Sequence, residues 1–121
     1  IRAVGYNGFP RGVDDEVESR HQRPEKYAYT EHAERNAIYN ASYTGTSLDG
    51  CSLYVTHFPC CDCARAIIQA GIAEVFVDKT KLTADFLERW EQDMKISTEM
   101  FEESGVAVQV IDDDGTTEPM K

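Results

Sequence analysis

Leu53-Tyr54-Val55-Thr56, then Pro59-Cys60-Cys61-Asp62-Cys63-Ala64, then Ile67-Ile68, Gly71 and Val75-Phe76-Val77 make up the stretch whose reading decides the fold. The first four residues are rich in β-branched and aromatic side chains, the composition of a strand. Pro59 introduces a helix, Ala64, Ile67 and Ile68 stripe it at helical spacing, and Gly71 ends it. Residues 74–78, carrying Val75, Phe76 and Val77, make a second strand. Two strands joined by a helix predict a parallel pair.

Working outward, residues 1–6 read as a strand that Asn7-Gly8, Pro10 and Gly12 break. Residues 13–29 read as a charged loop. Thr30 is the expected N-cap of a helix to about Tyr43, striped by Ala33, Ala37, Ile38 and Ala41. Downstream, a helix is expected over about 84–104, broken near Ile96 and ended by Gly105. Residues 106–111 read as a last strand, and residues 112–121 as a polar tail that frays. Alternating strands and helices predict a layered α/β domain over residues 1–111, with parallel pairing in the later strands. Phe86, Trp90, Met94, Met100 and Phe101 are more bulky apolar surface than one small sheet covers, which predicts a homo-oligomer.

At 121 residues the chain suits one core. Its 22 acids against 12 Lys and Arg give a net charge of −10, which opposes attraction to a nucleic-acid backbone. No run of eighteen apolar residues predicts a membrane span, and the first residues lack the organisation of a signal peptide. Of the four cysteines, Cys51, Cys60, Cys61 and Cys63, the last three occupy four successive positions. That is poor geometry for disulfides and suits a metal. A reducing, cytoplasmic protein is expected; a secreted disulfide domain is the rival.

The chemistry concentrates in His32-Ala33-Glu34 and Pro59-Cys60-Cys61-Asp62-Cys63. Cys60 and Cys63, three apart at a helix start, present both sulfurs on one face, where the helix dipole favours thiolates. His32, at the start of the other helix, can add a neutral imidazole. Two thiolates and one imidazole leave one position open on a tetrahedral zinc, as in a catalytic site rather than a closed structural one. His32 and Glu34 can both reach a metal beyond the helix end only if they lie in its first turn, where Glu34 can carry protons. The competing readings are a redox Cys-x-x-Cys pair and a closed zinc interaction module with His57 or Cys61 as fourth ligand. Cys61 is expected to pack behind the site and Cys51 to fill core.

This His-x-Glu with Pro-Cys-x-x-Cys pattern is the signature of zinc nucleobase deaminases. The chain further resembles the deoxycytidylate (dCMP) deaminases of the cytidine deaminase superfamily. The likeness covers about residues 1–77: Gly5-Tyr6-Asn7-Gly8-Phe9-Pro10-Arg11-Gly12, His32-Ala33-Glu34-Arg35-Asn36-Ala37-Ile38, Leu53-Tyr54-Val55-Thr56, Pro59-Cys60-Cys61-Asp62-Cys63-Ala64, Ile67-Ile68 and Gly71-Ile72. The metal motif is common to the superfamily, whereas Gly-Tyr-Asn-Gly-x-Pro is more particular to the dCMP branch.

The resemblance implies a three-layer α/β/α sandwich with a mixed central sheet, lacking in this sequence the family's first helix and strand. It implies zinc-dependent hydrolysis of dCMP to dUMP for thymidylate synthesis, by a homo-oligomer with dCTP and dTTP as possible effectors. Glu34 is then catalytic and His32, Cys60 and Cys63 hold the metal, while Asn7, Arg11, Ala33, Phe58 and Pro59 are candidate substrate contacts. Asn7 matches the asparagine that contacts the sugar hydroxyl; its plainer reading is a turn former. Tyr6 and Phe9 read equally as core or site. Arg11, Arg23, Lys26 and Arg35 are candidate phosphate cations, each with a plainer reading as solvated charge. Other substrates stay open: CMP, 5-substituted dCMP, guanine, or tRNA adenosine, the last disfavoured by the acidic charge.

Overall fold

The structure, a computed structural model, describes residues 1–120. Its contacts divide the chain into two compact units, Ile1–Thr46 and the segment from Ser47 onward. The first unit holds a 3₁₀ turn at Glu18–His21, a single helical turn α1 (Lys26–Tyr29) and the helix α2 (Ala33–Tyr43). The N-cap of α2 is His32, not Thr30; Thr30 closes α1 instead, its N–H bonded to the Lys26 carbonyl at 2.9 Å.

Residues 1–6 do not form the expected strand; the ladder contact nearest them is an isolated bridge between Gly8 and Glu31. A strand needs a partner backbone, and here α2 supplies side chains instead. Asn40 Nδ2 donates to the Val4 carbonyl and Asn36 Nδ2 to the Tyr6 carbonyl, each at 2.9 Å. Between them Gly5 lies so close to α2 that a Cβ there would stand 2.4 Å from the Ala33 carbonyl oxygen. Val4 and Tyr6 are exposed, so their alternation with Gly5 reflects this clamp and not a buried face.

The second unit is a four-stranded mixed sheet in the order β1-β2-β3-β4, where β1 is Ser52–Val55, β2 Glu74–Asp78, β3 Ala107–Ile111 and β4 Thr117–Pro119. The first three strands are parallel, as the sequence predicts, with Val75 opposite Leu53 and Val108, and Val77 opposite Val55 and Val110. The central strand is the most buried: Val75 and Val77 are wholly shielded. The crossovers are α3 (Cys61–Gln69) and α4 (Ala84–Ser104). Crossovers of the usual right hand, both stepping the same way along the sheet, put both helices on one face, and α3 packs on α4. Ile67, Phe101 and Val110 fill the core, with Phe58 edge-on to Phe101 at 6.3 Å.

Two expectations change in this unit. Helix α4 is continuous through Ile96: the weak helix formers there cost only tenths of a kcal/mol each, Ser97 is fully buried, and the ends are fixed by the Thr83 hydroxyl and by Gly105 at φ 81°. The polar tail also does not simply fray, because Thr117–Pro119 pairs antiparallel with β3 across a turn closed by the Asp112 N–H to the Thr116 carbonyl at 2.9 Å. All three β4 residues are exposed, so no apolar periodicity announces it.

Candidate metal centre

Each half of the motif sits at a helix start. In the first unit His32 precedes α2 with extended backbone (φ −71°, ψ 151°), and its ring does not cap the helix. Asn7 performs that function from a distant loop: its Oδ1 accepts the Ala33 N–H at 2.8 Å. Glu34, half-buried, follows in the first turn, where a carboxylate is favoured by the helix dipole.

In the second unit Cys60 is the N-cap of α3, and its sulfur accepts the Cys63 N–H at 3.4 Å. This is the bond a serine or aspartate oxygen makes at a capping position, made here by a sulfur whose anionic form the N–H and the helix end both favour. Cys63 is fully buried and Cys60 partly so. Pro59, also fully buried, fixes the approach to the helix.

Cys61 is turned to α4. Its thiol donates to Asp93 Oδ1 at 2.8 Å, and its N–H donates to Asp93 Oδ2 at 3.2 Å. Burial first, and then the Asp93 carboxylate, push the Cys61 thiol up from its ordinary value of 9.0. His57 bonds Thr56 Oγ1 at 3.2 Å and lies 5.5 Å from the Phe86 ring. Among the described residues, the set of side chains that could hold a metal ion is His32, Cys60 and Cys63, without either rejected candidate. One imidazole and two sulfurs, the sulfurs poised at a helix N-terminus, are a donor set suited to zinc, and three ligands is the number of a catalytic site.

The other candidates are spread out. Arg11 is exposed, with its guanidinium on Asn40 Oδ1 and 4.3 Å over the Tyr43 ring, both neutral groups. Arg35 pairs with Glu31, and Arg23 and Lys26 lie against Tyr27 at 5.9 and 5.3 Å. Tyr6 is exposed, while Phe9 stacks between His21 and Tyr29. Phe58 is buried and Cys51 half-buried. The residues that the sequence did not single out are Asn36, Asn40 and Asp93. Asparagines in a helix and an aspartate in a charged run look like solvated surface.

The family model of the cytidine and deoxycytidylate deaminase zinc-binding region matches residues 1–79, and the chain belongs to this family of zinc-binding deaminases. Among particular relatives it is 45% identical, over 89% of its length and 69% of the relative's, to an uncharacterised deaminase in the luxG 3′ region of Aliivibrio fischeri. It is 48% identical to the deoxycytidylate deaminase of Homo sapiens over 62% of its own length, and spans only 44% of that protein. The crystal structure of the dCMP deaminase from the cyanophage S-TIM5, in complex with dCMP and dUMP, superposes with a TM-score of 0.63 at 28% identity, covering 88% of this chain and 70% of that one. The α/β architecture is thus that of dCMP deaminases.

Proposed function

We propose that the protein is a zinc-dependent deaminase that hydrolyses dCMP, taking up water and releasing dUMP and ammonia. The observation that carries this is the donor set His32, Cys60 and Cys63 with Glu34 two residues from the histidine, in a chain of this family. The preference for dCMP rests on the human relative and on the cyanophage enzyme crystallised with dCMP and dUMP.

Bound by these three residues, zinc would act as a Lewis acid that makes water nucleophilic near neutral pH. Glu34 takes one proton of the attacking water and delivers it to the ring nitrogen, then takes the remaining proton of the added hydroxyl and passes it to the leaving amine, so that the C–N bond breaks as the ring carbonyl forms. Asn7, already fixed through its Oδ1, has its Nδ2 group left to offer a sugar hydroxyl. Ala33, Phe58 and Pro59 are the candidate contacts for the base, and Arg11 is the candidate cation for the 5′-phosphate. The product dUMP would supply thymidylate synthesis, a reducing compartment would suit four cysteines that are in no disulfide, and dCTP and dTTP would be effectors by family likeness.

The test is ammonia release over a panel of cytosine, adenine and guanine nucleosides and nucleotides. Turnover of dCMP supports the reading. Turnover of guanine, or of tRNA adenosine with none of dCMP, moves the protein to another branch. Zinc binding with no turnover of any of them leaves a zinc interaction module. No helix of the described residues is long and apolar enough to cross a membrane.

A further inference from the structure

The first N–H of each motif-bearing helix is taken by a side chain from elsewhere in its own unit: Ala33 N–H by Asn7, and Cys61 N–H by Asp93. The second case goes further. Asp93 lies on α4, 32 residues from Cys61, and its carboxylate engages both the backbone and the side chain of the residue between the two cysteine ligands. One oxygen accepts the N–H of the first residue of α3 and the other accepts the Cys61 thiol. Ser97, one turn on along α4, is fully buried. The Cys63 N–H goes to the Cys60 sulfur, so the first turn of α3 is tied at two successive points, one within the helix and one to α4.

We infer that Asp93 is a positioning residue for the metal ligands: it clamps the first turn of α3 so that Cys60 and Cys63 are already presented when the ion arrives. This rests on the reading of Cys60 and Cys63 as ligands. The physical basis is the general sensitivity of metal sites to the groups that orient their ligands, whose loss costs roughly 10–100-fold in metal affinity. A carboxylate suits the place because it has two acceptor oxygens to span two donors and because it meets a helix N-terminus. Cys61 enters as a thiol donor and takes no part in coordination.

The test measures zinc affinity of the full chain by competition with a chromogenic chelator, alongside the thiolate-to-metal charge-transfer absorption of the cobalt(II)-substituted protein. Asp93→Ala is expected to weaken zinc by roughly 10–100-fold and to broaden or weaken the cobalt band. Asp93→Asn keeps an acceptor for the N–H and the same shape, and is expected to restore affinity to within a fewfold of wild type. Should Asp93→Ala fail to fold, Asp93→Ser, too short to reach both groups, carries the same expectation. Unchanged affinity and spectrum in the alanine or serine variant, even with a lower Tm, would show Asp93 to be ordinary packing and overturn the inference. Wild-type protein that binds no zinc would overturn both this inference and the metal reading, whereas wild-type binding with an indifferent Asp93 would overturn this one alone.

Discussion

Glu34 and Asn7 are single residues whose roles separate by conservative substitution. Glu34→Gln keeps the size and the hydrogen-bonding reach but cannot carry protons, so zinc content and Tm should hold while turnover of dCMP falls at least ~10²–10⁴-fold. Metal analysis beside the ammonia assay checks this, and a near-normal rate would remove Glu34 from the proton route. Asn7→Ala deletes the acceptor for the Ala33 N–H and should cost about 1 kcal/mol in urea unfolding, as the loss of an N-cap does. Asn7→Asp keeps that acceptor and should recover the stability. If Nδ2 contacts the sugar, Asn7→Asp should still be slow. The candidate ligands and the proposed proton carrier Glu34 could be proposed from the sequence because their chemistry lies in spacings of two and three residues at helix starts. Asp93 was not, because its partner is 32 positions away and its neighbours Glu88, Arg89 and Glu91 give it the look of a solvated face.

At the scale of elements, hydrophobic pattern predicted what it could see. The core strands β2 and β3 and the stripe of α3 are apolar because they are buried, and they were legible for that reason. Residues 1–6 misled because Val4, Gly5 and Tyr6 imitate a strand, while the reason for the pattern is a helix backbone pressed against Gly5. β4 escaped because it buries nothing. Gly71, by contrast, was readable as a helix stop, and the structure shows why no other residue serves. It follows α3 at φ 82°, and a Cβ would lie 2.6 Å from Asp49 Oδ1 and 3.2 Å from Asp49 Cα. Gly71→Ala should therefore destabilise the fold by about 1–3 kcal/mol, read as a lower urea midpoint with an unchanged m-value. An unaltered midpoint would mean that the loop of Asp49 yields freely.

For the whole molecule, charge and assembly frame the substrate question. A chain of net charge −10 that takes an anionic substrate needs a local cation. Deamination should accordingly require the 5′-monophosphate, with deoxycytidine scarcely turned over, since binding energy at a remote phosphate can orient the base. Arg11, exposed and held by the neutral Asn40 and Tyr43 side chains, is the favoured cation. Arg11→Ala should lower kcat/KM for dCMP and leave any trace rate on deoxycytidine alone. An equal loss on both would make Arg11 a structural tie to α2. Assembly is expected through α4, where Leu87, Trp90 and Ile96 remain exposed, and analytical ultracentrifugation should find an oligomer. A fully active monomer in dilute solution would refute this.

The short strand β4 has a consequence for solubility. It occupies the outer side of β3 with Thr117, Glu118 and Pro119, and Lys79 ties it down through Glu118 at 2.8 Å. Proline donates no N–H to a further neighbour, and a charged, fully wetted strand makes a poor template for a second chain. The apolar strand β3 is thereby spared from growing a β-aggregate through its own exposed backbone. Three residues with almost no core value thus guard this one edge of the sheet against its own kind.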